Sequence, residues 1–596
     1  MNSNENLAKE LFLLSLEKMR ACDWESAEQD LEKCYSLFPD RLSVIVNLSA
    51  VKFKLNKLDA SFELSEKALS QQPDLKEAWL NKGNIFKAIH NLHHAIDCYK
   101  NALEIDGTFS DAIVSLAACY KKTGSYTAAK ELLQRALPKA RSKEFFLGDL
   151  IHLKLITCDW SDLDYYINEC RDLVLNKINS ISPFNLLSFS DRPEEILDVA
   201  QLNIKKHAFV KWKYSKSRSE KITIAYYSPD FRSHALTFLI SEFLTSHNKN
   251  KFSLIALSKG KKPDSANDPY FKRLEETFDE IYYLDELSVR DIQKLCLSLD
   301  IDVAVDLAGH TSGGNLELFA ERIAPVQIEF LGYPGTSGCK NIDYIVTDKF
   351  ISKTDDSCFL SEKPMYLSPS FQPNDSKRYK PKKSLDIIKK FNLDADLLIS
   401  GLSSTHKFNP SLFDTWSKII EKQDSVLLLL SVDSTDTAKN VLAEFASRGI
   451  PSNNIRFLPR LPYTEYLDVL SSCHIALDTF PFNGGTTTSD ALWAGTPVIT
   501  LAGSSFHSRM SGSLLSAVGL GELITSSSND YIETAISLLK NKSEVLRLKD
   551  YLAKNTFSVF DGSNNCAQFE KTLCAILDDL REPSSSVNCY TGKYIF

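Results

Sequence analysis

The sequence predicts an α-helical repeat array followed by two parallel α/β lobes. Three observations carry this. A self-similarity of period 34 occupies the first quarter of the chain. Short apolar runs alternate with amphipathic stretches after Lys221, and a segment rich in Pro, Asn, Ser and Lys, Ser370 to Lys383, divides those runs into two sets. A chain of 596 residues also exceeds the ~250 to 300 at which a single core stops growing, so several domains are required.

The repeat is read from residue spacing. Pro39, Pro73 and Gly107 are 34 apart, as are Ala27, Ser61, Ala95 and Ala129. Cys34, Ala68, Ala102 and Ala136 keep the same period beside the bulky series Tyr35, Leu69, Leu103 and Leu137. Thirty-four is the tetratricopeptide period, with two antiparallel helices per unit, and about four units fit between residues 7 and 142. Small residues sit where helix backbones approach, and the Pro or Gly ends the second helix. The concave groove of such an array docks extended peptides or partner proteins; the array serves equally as a brace for the remaining chain or as a self-association surface.

Residues 143–215 stay helical without the period and read as a connector bracing the array against the two lobes. The first lobe, 216–380, has candidate strands at Ile222–Tyr227, Phe252–Leu257, Ile281–Leu284, Val303–Leu307, Val326–Phe330 and Tyr344–Thr347. The second, 381–582, has them at Leu397–Ser400, Val426–Ser431, Ile455–Leu458, Ile475–Asp478 and Val498–Leu501, and residues 583–596 read as a tail. Strand–helix alternation implies Rossmann-like parallel sheets covered on both faces, with ligands bound outside the carboxyl ends of the strands. Two facing lobes then form one cleft.

Composition excludes several function classes. Hydrophobic content of 43% and charged content of 24% are those of a soluble globular protein. A net charge of −8 argues against nucleic acid as a partner, and the densest basic cluster, Lys259 to Lys262, reads as a solvated loop. The start lacks an export signal, and the apolar run Val426 to Leu430 is too short to span a bilayer, so a cytoplasmic protein is expected. Thirteen scattered cysteines, without a Cys-x-x-Cys pair, suggest neither a zinc site nor a disulfide framework.

The most informative stretch runs from Leu477 to Thr500. Gly484 and Gly485 let backbone amides approach a ligand, and Thr486 to Ser489 place hydroxyls at a helix start, so a phosphate is the expected occupant. Asp490, one turn further, is placed to accept hydrogen bonds from the vicinal hydroxyls of a ribose. Hydroxyl residues there also serve simply as helix caps. Three further motifs follow candidate strands. Ser228 to His234 ends on an imidazole that is a general base or a hydrogen-bond donor to a substrate, or else a helix cap or the filler of a polar gap. Asp306 to Thr311, with His310, and Ala324 to Gly338, with Leu331 and Gly332, build rigid loops that can line a sugar-sized pocket. Ser403 to Pro410 carries Lys407, a point charge for a phosphate or a solvated surface lysine.

Together these residues resemble the O-linked N-acetylglucosamine transferase family (glycosyltransferase family 41), in its bacterial SPINDLY-like branch. The motifs are Asp230-Phe231 with His234, Gly309-His310-Thr311, Gly332-Tyr333-Pro334-Gly335-Thr336-Ser337-Gly338, Lys407 with Pro410, Leu477-Asp478-Thr479 and Leu492-Trp493-Ala494-Gly495-Thr496-Pro497, in the family's order over residues 1 to about 580. The resemblance implies a GT-B fold, a nucleotide sugar held mainly by the second lobe, and protein Ser or Thr as acceptor. It implies Lys407 at the diphosphate, Thr486 and Thr487 at the phosphates, Asp490 at the ribose, His234 and His310 on the sugar and acceptor side, and Leu331 and Gly332 as pocket wall.

The chain departs from animal relatives, which carry histidine at the positions of Gly485 and Tyr466 and glutamine at that of Ser404. Tyr466 still offers a ring face to a base. Plant SPINDLY proteins, which use GDP-fucose, resemble this chain from Asp478 to Thr488 but carry Glu at Asp490, and the wording Leu492-Trp493-Ala494-Gly495 favours the UDP-using members. UDP-N-acetylglucosamine is therefore the expected donor, a co-substrate with no further cofactor. A departing diphosphate requires preorganised donors or a metal. Asp300-Ile301-Asp302 and Asp394-Ala395-Asp396 precede strands, at the wrong end of a sheet, so no metal is expected. The alternatives are a protein O-fucosyltransferase, a repeat scaffold with an inactive transferase half, and an epimerase or hydrolase on the same two-lobed fold.

Overall fold

Residues spaced by 34 become helix–helix contacts in the computed structural model, which describes residues 3–140, 142–204, 220–260, 262–285, 287–353, 358–382 and 385–581. Four antiparallel pairs form: α1 (Ser3–Arg20) with α2 (Trp24–Leu37), α3 (Leu42–Lys54) with α4 (Leu58–Gln71), α5 (Lys76–Ala88) with α6 (Leu92–Ile105), and α7 (Ser110–Lys122) with α8 (Tyr126–Ala136). Ala27, Ser61, Ala95 and Ala129 are fully buried, as the close approach of backbones requires. Helices α2, α4 and α6 stop two residues before Pro39, Pro73 and Gly107.

A second compact unit begins within α9 (Leu147–Ile156), at Lys154. It contains α10 (Leu163–Leu175), α11 (Pro183–Leu186) and α12 (Pro193–Asn203), part of the connector expected to brace the array against the lobes. From residue 157 this connector packs on both lobes. Trp160 meets Phe413 edge-on at 4.9 Å, Asn440 Nδ2 donates to Thr157 O at 2.8 Å, and Asp191 accepts from the amides of Ser504 and Ser505 at 2.8 and 2.9 Å. Ile204 packs against the first lobe. Residues 205–215 of the expected connector lie outside the described residues, as do 582–596, which include the expected tail.

The first lobe is a seven-stranded parallel sheet in the order β3-β2-β1-β4-β5-β6-β7. Its strands are β1 (Ile222–Ser228), β2 (Phe252–Ser258), β3 (Glu280–Tyr283), β4 (Val303–Asp306), β5 (Val326–Glu329), β6 (Tyr344–Thr347) and β7 (Lys363–Tyr366), interleaved with α13 (Ala235–Thr245), α14 (Pro269–Glu275), α15 (Val289–Ser298) and α16 (Leu316–Ala320). The second lobe orders six parallel strands β10-β9-β8-β11-β12-β13. They are β8 (Leu397–Ser400), β9 (Val426–Ser431), β10 (Ile455–Leu458), β11 (Ile475–Leu477), β12 (Val498–Leu501) and β13 (Ile524–Thr525). Around them lie α17 (Leu385–Lys390), α18 (Pro410–Glu421), α19 (Thr435–Ser447), α20 (Tyr463–Ser472), α21 (Thr486–Trp493), α22 (Met510–Ala517), α23 (Ser528–Lys540) and α24 (Lys542–Asn555). Near-continuous burial of β1, β2, β4, β5, β8 and β9 reflects helices on both faces. These are the two Rossmann-like lobes of the expected GT-B fold. Strands β7 and β13 were not expected: one is an edge strand carrying Pro364, the other only two residues long.

One boundary needs correction. The second lobe was expected to run through residue 582, but α25 (Gly562–Arg581) returns to the first. Its Cys566, Phe569, Leu573, Ile576 and Leu577 face one side at helical spacing and join the core around Phe243 and Phe330. Packing decides this; the helix comes after the second lobe in sequence but has its apolar partners in the first. Among the described residues, no helix is long and apolar enough to cross a membrane, and every cysteine is a free thiol.

Candidate donor and acceptor site

In each sheet the chain leaves a central strand, builds one flank and crosses to the other, so a crevice opens between β1 and β4 in the first lobe and between β8 and β11 in the second. The predicted residues distribute to these two points. His234 follows β1, His310 follows β4, and Leu331 and Gly332 follow the adjacent β5; Ser404 and Lys407 follow β8, and Gly484 to Thr487 follow β11.

The second-lobe loop is rigid because its own side chains hold it. Asp478 accepts from the Gly484 amide at 2.7 Å through Oδ1 and from Thr500 Oγ1 at 2.7 Å through Oδ2. Asn483 Nδ2 donates to Thr479 O at 2.9 Å, and Ser511 Oγ donates to Gly484 O at 2.8 Å. A Cβ on Gly484 would meet the hydroxyls of Thr487 and Thr488, so only glycine lets the turn close onto the start of α21. Gly485 is the N-cap of α21 and offers no side-chain cap, which leaves the first-turn amides for a ligand. Thr486 and Thr487 stand half-buried at that end; Thr488 and Ser489 turn inward. Tyr466, Ser403, Asp478 and Thr487 line a crevice of about 20 Å³.

Lys407 ends a short turn, Thr405–Lys407, whose first carbonyl neighbour is the exposed Ser404. Its ammonium donates to Asn483 O at 2.9 Å and stands 4.1 Å from the Phe482 ring centroid. Asn409 ties the two loops together: Nδ2 donates to Phe480 O at 2.7 Å while Oδ1 caps α18. Burial pulls the Lys407 ammonium down to about 8, with the Asp478 charge opposing. Lys407 is thus a cation held against the carbonyl that precedes the Gly484-Gly485 loop. A larger cavity of about 610 Å³ is lined by Phe480, Pro481 and residues of α10, and includes none of the predicted donor residues.

Asp490 is not a free carboxylate. It is buried, and its Oδ1 accepts from Arg378 Nη1 at 2.8 Å and from the Tyr463 hydroxyl at 2.9 Å. Tyr466 packs near Tyr463, ring centroids 6.4 Å apart. Tyr463 in turn stacks at 4.3 Å on Phe238 of α13, so an aromatic contact bridges the two lobes.

On the first lobe, His234 is the N-cap of α13: Nδ1 accepts from the Leu236 amide at 3.3 Å, leaving the proton on Nε2. A helix cap is thus its observed role, and it presents an N–H rather than a lone pair. Burial lowers its pKa, opposed by Asp230. His310 donates Nε2–H to Ser337 O at 2.7 Å and packs edge-on against Tyr333 at 5.1 Å. Burial brings His310 down to about 4, so it is neutral with Nδ1 as acceptor. Leu331 adopts φ of 70°, a left-handed conformation costly for leucine, beside Gly332.

Sequence reasoning missed Arg378, Gln372, Phe238 and the Tyr463 hydroxyl. Gln372 Oε1 stands 3.1 Å from where a Gly485 Cβ would lie. Nothing local marks these residues, since each acts across more than one element. Asp302 accepts from the Thr223 amide at 2.7 Å, at the amino end of β1 and away from the crevice. Among the described residues His247, Cys566 and Glu570 lie close enough to hold a metal, but both His247 nitrogens already face hydrogen-bond partners, Tyr226 at 2.7 Å and Glu570 at 2.9 Å.

The chain has recognisable relatives among known proteins. The model of "Glycosyl transferase family 41" matches residues 158–396 and 381–569, and a tetratricopeptide repeat model matches 76–109. The Arabidopsis thaliana protein named "Probable UDP-N-acetylglucosamine–peptide N-acetylglucosaminyltransferase SEC" is 27% identical over 69% of this chain and 45% of its own length. The SPINDLY protein of the same plant, with the same enzyme name, is 27% identical over 57% of this chain and 37% of its own length. The chain thus spans less than half the length of these curated relatives. A solved variant of the Thermobaculum terrenum O-GlcNAc transferase shares the fold, with TM-score 0.58 and 21% identity over 97% of this chain and 99% of that one.

Proposed function

This chain belongs to glycosyl transferase family 41, and from that premise we infer that it transfers N-acetylglucosamine from UDP-N-acetylglucosamine to Ser or Thr hydroxyls of proteins, with inversion and without a metal. The carrying observation is the placement of Lys407 beside the amide end of α21 in one lobe, with His234 and His310 following the crevice strands β1 and β4 of the other. The diphosphate lies on the Gly484–Thr487 loop and Lys407, the ribose on Asp490, and the base beside Tyr466 and the backbone of Leu461 to Tyr463. The sugar faces Leu331, Gly332 and His310.

The acceptor oxygen forms a bond to the anomeric carbon as the bond to the diphosphate oxygen breaks. Negative charge grows on the leaving group, where a cation and preorganised amides stabilise it. His234, with Nδ1 held by the cap, donates a hydrogen bond through Nε2 towards the sugar and acceptor. The hydroxyl proton leaves through a donor phosphate oxygen or a water chain. The repeat groove supplies the acceptor's docking surface.

Mass spectrometry of proteins co-expressed with this chain tests the reading; a hexosamine shift on Ser or Thr is expected, and a deoxyhexose shift would replace it with fucosyl transfer. Donor turnover is expected to survive excess EDTA. Loss on chelation, restored by manganese or magnesium, would overturn the metal-free assignment. Asp490→Ala should weaken UDP binding by about 1 to 3 kcal/mol, the worth of charge-assisted hydrogen bonds. Calorimetry also separates bases: a site shaped for uracil leaves groups unpaired against guanine, so GDP binding more tightly than UDP would move the chain to the fucosyl side.

A further inference from the structure

The segment joining the lobes sends one cation into the donor site. Arg378 follows β7 and has a fully buried side chain; the Asp490 side chain it meets at 2.8 Å is 4% exposed. Its Nη2 donates to Asn374 Oδ1 at 2.6 Å, and the guanidinium carbon stands 5.2 Å from the Phe560 ring centroid. A buried ion pair costs desolvation of both partners and is held only where geometry is good. Here the Arg378 and Tyr463 bonds both fall on Oδ1, while an ionised carboxylate accepts at both oxygens. Oδ2 is then the oxygen left to face a diol.

We propose that Arg378 is a positioning residue for the donor: it holds Asp490 as an aimed carboxylate, so that the nucleotide's ribose is read by a group fixed from the interlobe segment. This rests on the donor-site reading above. The same segment is tied to the first lobe, where Ser376 donates to Glu242 through its amide and hydroxyl at 2.8 Å, and to the second, where Trp493 Nε1 donates to Tyr379 O at 2.8 Å. Ribose recognition is thereby coupled to the segment that sets the lobes' spacing.

The groups facing Asp490 are Arg378 from the segment, Tyr463 and Tyr466 from α20, and Tyr270 from α14. Burial raises all three tyrosines further above their ordinary range, so none titrates near neutrality. Burial also pushes Asp490 up to about 6, with the Arg378 charge opposing. The ionised carboxylate is the form that accepts ribose hydroxyls. Affinity is therefore present above that value and lost as pH falls through it, and removing Arg378 starts the loss at higher pH.

The test is calorimetric affinity for UDP-N-acetylglucosamine between pH 5 and 8.5 on the full chain; both its phosphates are diesters and do not titrate there. Arg378→Met should weaken binding about tenfold or more at neutral pH and move the acid fall upward by about one pH unit. Arg378→Lys should restore most of both. Asp490→Asn should bind weakly with no acid fall from this group. If Arg378→Met does not fold, judged by its melting transition, Arg378→Gln replaces it with the same expectation. An unmoved acid fall in the folded variant, whether affinity is kept or lowered equally at every pH, overturns the proposal. Wild-type behaviour of Asp490→Asn would instead remove the ribose reading itself, and the Arg378 role with it.

Discussion

Lys407→Ala is expected to lower turnover by at least ~100-fold, the scale seen when one preorganised donor to a developing negative charge is removed. The residue is half-buried and its ammonium is fixed by Asn483 O and the Phe482 ring, so it is aimed before any ligand arrives. The α21 start beside the Asn483 carbonyl it binds offers neutral amides and hydroxyls rather than a second cation. Lys407→Arg keeps charge but presents a planar fork where a point charge fits, and should recover activity only in part. Burial also gives the residue a pH signature. With its pKa drawn down to about 8, Lys407 loses charge as pH rises through that value in the free protein. A bound diphosphate raises the pKa again. Donor capture, read as kcat/KM, is therefore expected to fall on the alkaline side before kcat at saturating donor does. Steady-state kinetics of both variants across pH checks this; near-normal turnover in Lys407→Ala would remove the leaving-group assignment.

How much of this was legible in the sequence depends on how local each determinant is. The repeat was legible because Ala27, Ser61, Ala95 and Ala129 occupy one structural position in successive units, and all are fully buried. Strands such as β4 and β9 were legible because sheets covered on both faces need unbroken apolar runs. Strand β7, reading Lys-Pro-Met-Tyr, carries no such run. The turn before α21 was legible from Gly484-Gly485 and the hydroxyls that follow, since a close turn at a helix start leaves a local mark. His234 shows the limit: the sequence offers a cap, a base or a donor to substrate, and the Leu236 amide supplies the cap bond that the sequence alone does not fix.

What escaped was tertiary. Arg378 and Asp490 are 112 residues apart and meet because the interlobe segment runs under α21. Phe238 and Tyr463 stack from opposite lobes. The return of α25 to the first lobe is of the same kind, for an amphipathic helix announces a buried face without naming what buries it.

Gly332→Ala should be among the most damaging small changes in the first lobe, at the upper end of the ~1–3 kcal/mol that overpacking costs. A Cβ there would fall on the Leu307 carbonyl oxygen, 2.6 Å from its carbon and 2.9 Å from Ala308 Cα. These are backbone atoms and cannot rotate aside. Leu331 before it is already left-handed, and the Gly332 amide donates to Phe330 O at 2.8 Å, so this loop has little freedom to yield. Relief requires the loop after β5 to separate from the loop after β4. That second loop carries His310, so the wall proposed to face the sugar would move away from the imidazole. A lowered melting temperature is therefore expected with a raised donor KM and a reduced kcat. Gly521→Ala is the control, because nothing lies within 4 Å of its added carbon and its effect should be small on all three. If Gly332→Ala behaved like Gly521→Ala in melting and kinetics, the close approach at β4 and β5 would not shape the sugar site, and Leu331 and Gly332 would lose their place in it.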